Sequence, residues 1–172
     1  MKIINLKTLV NNLLNGDNSA FDEIYYATRD SVYYTIFNII KNDARTEELV
    51  QEVYIKALKN IRKFNNKNFR GWISVIARNL ALDTYKREKK EVYLDSQEMD
   101  FVFTSESNSD EAYLLKDMKK VLKDLEFEIV LMHVIGNMTH KHIGKTLDKP
   151  LGTVLWNYNQ AVKKLRLHLE VE

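Results

Sequence analysis

Basic residues interleaved with aromatic residues are the feature of the sequence most suggestive of chemistry. Residues 56 to 90 contain eleven Lys or Arg and two acids, a net charge of +9, with Phe64, Phe69, Trp72 and Tyr85 among them. Cations bind backbone phosphates, and aromatic rings give unpaired bases a surface on which to stack. The stretch predicts binding of single-stranded or melted DNA. The helical spacing of Phe69 and Trp72 also suits core residues, and for Trp72 the core position is favoured.

A second polar cluster, acidic instead of basic, lies just before this stretch and consists of Glu47, Glu48, Gln51 and Glu52. Because DNA would repel these carboxylates, their edge of the predicted helix is expected to face a protein or solvent. On composition alone, a solvated charged face is the default interpretation.

Catalytic and metal-binding patterns find little support. The sequence has no Gly-rich phosphate loop, no G-x-S-x-G elbow and no cysteine. His140 and His142 are two residues apart and so do not share a helix face, and no second cluster completes a metal site. We therefore expect a protein that is not an enzyme and that uses no metal and no cofactor.

The composition indicates an all-α protein. Of the 172 residues 45% are apolar, while five Gly and one Pro leave few of the turns that sandwiches and barrels need. The lack of cysteine fits a reducing compartment, and no signal-like opening or long apolar run is seen. The expectation is a soluble, cytoplasmic, helical protein without membrane insertion.

Apolar periodicity predicts four helices before residue 91. We expect the first to stop at Gly16, the second to start near Ser19 and the third to be capped by Asp43. The third helix should bury Leu49, Val50, Val53, Tyr54, Ala57, Leu58 and Ile61. The fourth follows an asparagine-rich break at residues 65 to 68 and should carry most of its cations outward.

Charge and pattern change after the fourth helix. Residues 91 to 115 contain seven acids and no Lys or Arg, a net charge of −7. Residues 92 to 108 show no sustained period and have the composition of a linker. We therefore predict two small helical domains, residues 1–90 and 110–172, joined by an acidic linker at residues 91–109.

The second domain ends in a predicted helix-turn-helix. Two helices come first, from Tyr113 to Leu125 and from Glu128 to Gly136. Thr139 can then cap a short helix and Thr153 can open a last one, with LDKPLG providing the turn between them. The second helix of such a motif enters the DNA major groove. Trp156 either packs or contacts the groove, and packing is the favoured interpretation.

Two stretches resemble the extracytoplasmic-function (ECF) group of the bacterial sigma-70 family, the RNA polymerase sigma factors. ELVQEVYIKALKNIRKF, followed by NFRGWISVIARNLALDTYKREKK, resembles region 2 of that group, and MTHKHIGKTLDKPLGTVLWNYNQAVKKLR is similar to region 4. Together they cover nearly the whole chain in the expected order. The resemblance implies a region 2 helical bundle and a region 4 helix-turn-helix, in a sigma factor that directs core RNA polymerase to specific promoters and assists their opening.

The resemblance also implies three sets of site residues. ELVQE matches the segment that docks on the clamp helices of the polymerase's largest subunit, which assigns core polymerase binding to Glu48, Leu49, Gln51, Glu52 and Val53. The minus-ten element would be bound by Asn66, Asn68, Arg70, Arg78, Asn79, Asp83, Lys86 and Arg87. The minus-thirty-five element would be bound by Thr139, Lys141, Thr153, Trp156, Asn157, Gln160, Lys163 and Lys164. Other implied partners are promoter DNA, both duplex and melted, the flap of the second-largest subunit, and an anti-sigma factor.

Some of these positions allow a second interpretation. Asp83 either pairs with Arg87 on the helix surface or helps to shape the strand-separated promoter. Leu155, Asn157 and Gln160 stand where Lys or Arg is frequent in the family, although Asn and Gln can read adenine through two hydrogen bonds.

Two other classes of protein remain open at this level. A stand-alone helix-turn-helix regulator would bind duplex DNA without polymerase, and the intact ELVQE segment argues against it. A helical adaptor that binds only proteins would not need the +9 stretch.

Overall fold

A computed structural model describes residues 5–65, 67–91 and 109–170, with the side chains of Lys90 and Glu91 excepted. These residues are helical almost throughout and contain no strand, which confirms the predicted all-α class. The chain divides into two compact units, unit 1 (residues 1–107) and unit 2 (residues 108–172). The predicted linker, residues 91–109, lies almost wholly outside the described residues. None of the described helices is both long and apolar enough to cross a membrane.

The described part of unit 1 is a bundle of the helices α1 (Leu6–Leu14), α2 (Ala20–Ile40), α3 (Asp43–Asn60) and α4 (Phe69–Glu91), with a 3₁₀ turn, Ile61–Lys63, after α3. Helix α2 packs against the other three, and α3 also packs against α4. The core contains Ile24, Ile36, Leu49, Val53 and Ile73, each 0 or 1% exposed. One face each of α3 and α4 is thereby left to solvent.

The helix ends in unit 1 follow local chemistry. Gly16 adopts a left-handed conformation, with φ at 94°, just after α1, and Ser19 directly precedes α2, so both predicted boundaries are confirmed. The predicted cap at Asp43 is wrong by one residue. Asn42 caps α3 instead, because its Oδ1 accepts a hydrogen bond from the backbone N–H of Arg45 at 2.9 Å. Asp43 accepts a hydrogen bond from the Tyr33 hydroxyl.

The described part of unit 2 contains α5 (Asp110–Val121), α6 (Asp124–Val130), a π-helical segment (Leu131–Ile135), α7 (His140–Leu147) and α8 (Leu151–Leu169). The predicted boundary between the first two helices is misplaced, because Leu122 is extended, with ψ at 142°, and ends α5 early. Helix α8 begins after Pro150, two residues before the predicted start at Thr153. Helices α5, α6 and α7 all pack against α8, which therefore forms the centre of the unit.

Candidate nucleic-acid interfaces

A polar stripe runs along α4 in unit 1. We call it the α4 stripe, and it comprises four exposed residues that share one side of the helix, Asn79, Asp83, Lys86 and Arg87. Tyr85 is also exposed, on a different side of α4, and the ammonium of Lys89 lies 5.8 Å from the centroid of its ring. Cations and hydrogen-bonding groups are therefore exposed along one side of α4, and an aromatic ring is exposed on another.

The other residues predicted to bind the minus-ten element lie elsewhere on unit 1. The Oδ1 of Asn68 accepts a hydrogen bond from the backbone N–H of Gly71 at 3.1 Å, so this side chain fixes the start of α4. Arg70 and Arg78 are half-buried, and Asn66 lies outside the described residues.

An aromatic cluster closes the bundle next to the start of α4. The ring centroids of Phe64, Phe69 and Trp72 are 5.2 to 5.6 Å apart, in tilted and edge-on arrangements. Phe64 and Phe69 are buried and Trp72 is half-buried. Phe69 is therefore a core residue, Trp72 lies at the margin of the core, and Tyr85 is the exposed aromatic surface on α4.

The acidic edge of α3 is exposed at Glu48, Gln51 and Glu52. Leu49 and Val53, which were assigned to polymerase contacts, have no exposed surface. That assignment is corrected, because the two side chains pack in the core beneath the acidic edge and cannot themselves touch a partner. Their contribution is to hold α3 in place.

Two apolar residues of α3 were missed as surface residues. Ile55 is 52% exposed, and Leu58 is also exposed although it was predicted to face the core. Ile55 follows Gln51 by four residues and Glu52 by three, so it belongs to the same side of the helix. This spacing was visible in the sequence. We call Glu48, Gln51, Glu52 and Ile55 the α3 face.

Ion pairs modulate the charge of the α3 face. The guanidinium of Arg45 contacts Glu48 at 2.5 Å and Glu88 of α4 at 2.8 Å, and these hydrogen bonds raise the pKa of Arg45. Arg29 binds Glu47 at 2.5 Å. Glu52 lies 3.3 Å from Lys56 in an exposed pair, which contributes little. Gln51, Glu52 and Ile55 are therefore the members of the face least engaged within the protein.

The helix-turn-helix of unit 2 is formed by α7, α8 and the turn between them. Thr139 caps α7 as predicted, accepting from the backbone N–H of His142 at 3.3 Å. Asp148 ends the helix in a left-handed conformation, with φ at 52°, which Asp adopts more readily than most residues. A Cβ on Gly144 would lie 2.9 Å from the carbonyl oxygen of Lys149, so the tight turn requires glycine there.

Three lysines surround this turn. An open cleft of about 460 Å³ is lined by Lys141, Lys145, Lys149 and Leu151, among others, and all three lysines are exposed. Lys141 was predicted as a DNA contact, whereas Lys145 and Lys149 were missed. The spacing of four residues between Lys141 and Lys145 is a signal that could have found Lys145, because it places both on one side of α7. Lys149 lies beyond the end of α7, and its place beside them depends on the turn.

Helix α8 turns a different set of side chains outward from the one predicted. Its buried side carries Val154, Asn157 and Ala161, and its exposed side carries Leu155, Trp156, Asn159 and Lys163. Thr153 and Gln160 are half-buried. Asn159 has an exposed side-chain amide but was not predicted as a site residue. The sequence placed base recognition at Asn157 and Gln160 instead.

Three predictions on α8 are therefore corrected. Asn157 is only 9% exposed, and its Nδ2 donates to the carbonyl oxygen of Thr153 at 2.8 Å, so it cannot read a base. Trp156 is 61% exposed and does not pack in the core, which leaves the groove contact as its interpretation. The ammonium of Lys164 binds both carboxylate oxygens of Glu126, at 2.6 and 2.8 Å, so it is engaged in an ion pair within unit 2 although its side chain is 34% exposed.

Glu126 is the buried charge that organises unit 2. Its side chain is 4% exposed and also accepts from the backbone N–H of Lys123 at 2.9 Å, which caps α6. Burial alone would raise the pKa of Glu126, but the hydrogen bonds from Lys164 and Lys123 outweigh it and lower that pKa. The ion pair ties the start of α6 to α8.

Two histidines and a tyrosine form a cluster of rings between the π-helical segment, α7 and α8. The rings of His133 and His140 stack at a centroid distance of 4.1 Å, and Tyr158 meets both edge-on at 4.9 and 4.7 Å. A ring nitrogen of His133 bonds the carbonyl oxygen of Met138 at 2.8 Å. Burial, reinforced by the neighbouring His133, lowers the pKa of His140. Stacked rings do not converge on a metal, and the described residues contain no group of three or more metal-ligating side chains.

The two units thus present exposed cations on α4 and a helix-turn-helix, the features of a DNA-binding protein with two separate contact points. Comparisons with known proteins show which family the sequence resembles. Residues 24–91 match the family model for sigma-70 region 2. The chain is 26% identical to the ECF RNA polymerase sigma factor SigW of Bacillus subtilis, over 95% of this chain and 96% of the relative. It is 27% identical to SigE of Mycolicibacterium smegmatis, over 90% of this chain and 64% of the relative.

Solved structures agree on the fold. The sigma factor RpoE in its complex with the anti-sigma factor NepR from Bartonella quintana matches with a TM-score of 0.62 and 17% identity, over 88% of this chain and 98% of that chain. The chain is thus similar to ECF sigma factors over nearly its whole length, and residues 24–91 match region 2 of the sigma-70 family.

Proposed function

We propose that the protein is an ECF sigma factor that directs core RNA polymerase to specific promoters and assists promoter opening, acting in the cytoplasm and leaving catalysis to the polymerase. The observation that carries the proposal is the pairing of an exposed cationic and aromatic helix, α4, with a separate helix-turn-helix, in a chain similar to ECF sigma factors over nearly its whole length. A stand-alone regulator would need only the second of these surfaces.

The α4 stripe is the proposed contact to the minus-ten element. Lys86 and Arg87 can neutralise phosphates, while Asn79 and Asp83 can hydrogen-bond exposed bases. Tyr85, on another side of α4, offers a ring on which a displaced base could stack. A single acid among cations suits base recognition, because a carboxylate accepts hydrogen bonds from the exocyclic amine of cytosine.

The α3 face is the proposed contact to the clamp helices of the polymerase. It joins an apolar side chain, Ile55, to the amide of Gln51 and the carboxylate of Glu52. Protein interfaces combine apolar burial with hydrogen bonds in this way, whereas a surface that meets DNA needs cations. The α3 face is acidic while the α4 stripe is basic, so the two surfaces are suited to different partners.

Unit 2 is proposed to bind the minus-thirty-five element as a duplex. Lys141, Lys145 and Lys149 would hold phosphates beside the turn, while the exposed side of α8 enters the major groove. The flap of the polymerase and an anti-sigma factor are further proposed partners; RpoE, the structural relative, was solved in complex with an anti-sigma factor.

Run-off transcription with purified bacterial core polymerase and a library of randomised promoters tests the proposal. The chain should select promoters that core polymerase alone does not transcribe. Replacing Gln51 and Glu52 by Lys should abolish capture of core polymerase. As a matched control, replacing Asp22 and Glu23, two exposed acids at the start of α2, by Lys should leave capture unchanged. Transcription that is unchanged by the chain, or duplex binding without any polymerase capture, would favour the stand-alone regulator.

A further inference from the structure

The exposed side of the first turns of α8 is apolar and uncharged. It carries Gly152, Leu155, Trp156 and Asn159, whose spacing of three, one and three residues aligns them along the helix. Leu155 is 40% exposed and Trp156 is 61% exposed. We call these four residues the α8 groove face. In a helix-turn-helix this part of the second helix is the one that meets base edges.

The side chains of the groove face determine which bases it can read. Guanine is read most often by Arg or Lys through two hydrogen bonds, but the first cation of α8 is Lys163 and the first arginine is Arg166, beyond the third turn. Thymine presents a C5-methyl group in the major groove, and apolar side chains recognise it. Adenine presents N6 and N7, which an Asn side chain matches with two hydrogen bonds.

The surroundings of the groove face favour nucleic acid over a protein as its occupant. Lys141, Lys145 and Lys149 line the cleft at the start of α8, and Lys163 continues the exposed side at its far end. Cations at both ends of an apolar strip complement the phosphates that border a groove. The strip is also held rigidly, because Val154 and Ala161 are fully buried beneath it and Asn157 is bonded within the helix.

We propose that α8 reads A·T base pairs in the upstream promoter element, with Leu155 and Trp156 contacting thymine C5-methyl groups and Asn159 reading adenine. The inference rests on the proposed function and names the bases that the region 4 surface selects. It also explains why the exposed amide of α8 lies at Asn159, one turn beyond the two apolar side chains.

The test uses holoenzyme assembled from the full chain and core polymerase. Promoters are first selected from a library in which only the upstream element is randomised, and A·T pairs should be enriched at two or more adjacent positions. The selected element is then synthesised with deoxyuridine in place of one thymine at a time, which removes the methyl group and keeps every hydrogen-bonding group. One or two substitutions should lower open-complex formation about fourfold, the effect of one methyl group leaving an apolar contact.

Variants then connect this effect to the groove face. Holoenzyme carrying Trp156→Ala should transcribe the thymine promoter less well and respond less than twofold to deoxyuridine at the contacted position. Leu167→Ala, which removes an exposed apolar side chain near the far end of α8, should keep the full fourfold response. The wild-type response to deoxyuridine requires no variant, so the proposal can be tested even if a variant folds poorly.

Four results would overturn the inference. Enrichment of G·C pairs at the upstream element, or an equal response to thymine and deoxyuridine at every position, would show that α8 does not read methyl groups. Loss of core polymerase capture by Trp156→Ala, with binding of the free chain to the selected duplex intact, would identify the strip as a protein-docking surface. If no promoter is selected from the library, the proposed function and this inference both fail. Enrichment of G·C pairs or an equal response to thymine and deoxyuridine, by contrast, would refute the inference alone.

Discussion

Lys164 is predicted to stabilise unit 2 and not to bind DNA, although it stands beside Lys163 on a DNA-binding helix. Its ammonium bonds both oxygens of Glu126, and its side chain is 34% exposed, against 4% for its partner. Lys163 is exposed on the groove side of α8. Two neighbouring lysines therefore have separate roles that a pair of alanine substitutions can distinguish.

The expected change in the free energy of unfolding depends on which groups each substitution leaves without a partner. Lys164→Ala leaves the Glu126 carboxylate buried, with a hydrogen bond from the backbone N–H of Lys123. Removal of one partner from a fully buried pair costs about 3 to 5 kcal/mol. Because Lys164 is partly solvated in the folded protein, we expect a loss of about 2 to 3 kcal/mol in the free energy of unfolding. Lys163→Ala should change it by less than about 0.5 kcal/mol.

Urea unfolding of the full chain, followed by hydrogen exchange in peptides from α6 and α8, reports on unit 2 separately from unit 1. Binding to duplex DNA over a range of salt concentrations reports on the phosphate contacts, and Lys163→Ala should lower the salt slope by about 0.9. Lys164→Ala should leave that slope unchanged at urea concentrations where the unit is folded. If Lys164→Ala lowers the slope and leaves unfolding within about 0.5 kcal/mol of wild type, the structural role assigned to the ion pair is wrong.

Three further predictions concern other parts of the chain. Gly144→Ala should destabilise unit 2 by about 1 to 3 kcal/mol in urea unfolding, because the added Cβ would meet the carbonyl oxygen of Lys149. Gly152→Ala has open space around the added Cβ and should stabilise α8 by up to about 1 kcal/mol in the same measurement. Unit 2 should lose stability as the pH falls below 6.5, the ordinary pKa of a histidine, because the pKa of His140 is lowered in the folded protein and folding therefore favours its neutral ring. His140→Phe should weaken this pH dependence, measured by melting curves between pH 5 and 8. Arg87→Ala should reduce the salt slope of promoter binding by about 0.7 to 0.9 without altering unfolding, and an unchanged slope would remove Arg87 from the DNA contact.

The sequence was sufficient for the helical class and for the exposed cations of α4, but not for the exposed apolar residues of α3. Helix α4 has a clear outward set of cations because its core positions, such as Ile73 and Ala77, recur at helical spacing. The limits of α1 and the start of α2 were also predictable, because Gly16 and Ser19 have strong local preferences. The exact cap of α3 was not, since Asn42 and Asp43 both suit that position chemically.

The sequence was insufficient for α8, and the reason is physical. Apolar residues occur on every side of this helix, so hydrophobic periodicity does not determine which side is buried. Packing against α5, α6 and α7 makes that choice, turning Asn157 inward and Trp156 outward. Nor could the sequence pair Lys164 with Glu126, because the two residues are 38 positions apart and their contact depends on the tertiary fold.

In the proposed binding of promoter DNA, the engagement of Asn157 and Lys164 within unit 2 changes how the two units divide the recognition. Unit 2 commits one cation of α8 to an internal ion pair and exposes apolar and amide side chains on that helix, whereas the α4 stripe in unit 1 exposes cations. Phosphate contacts provide affinity that depends on salt, and base-edge contacts provide discrimination that depends on it less. Salt should therefore weaken the contacts of unit 1 more steeply than the base preference of α8. Promoter selectivity at the upstream element should persist at salt concentrations where overall promoter affinity has already fallen.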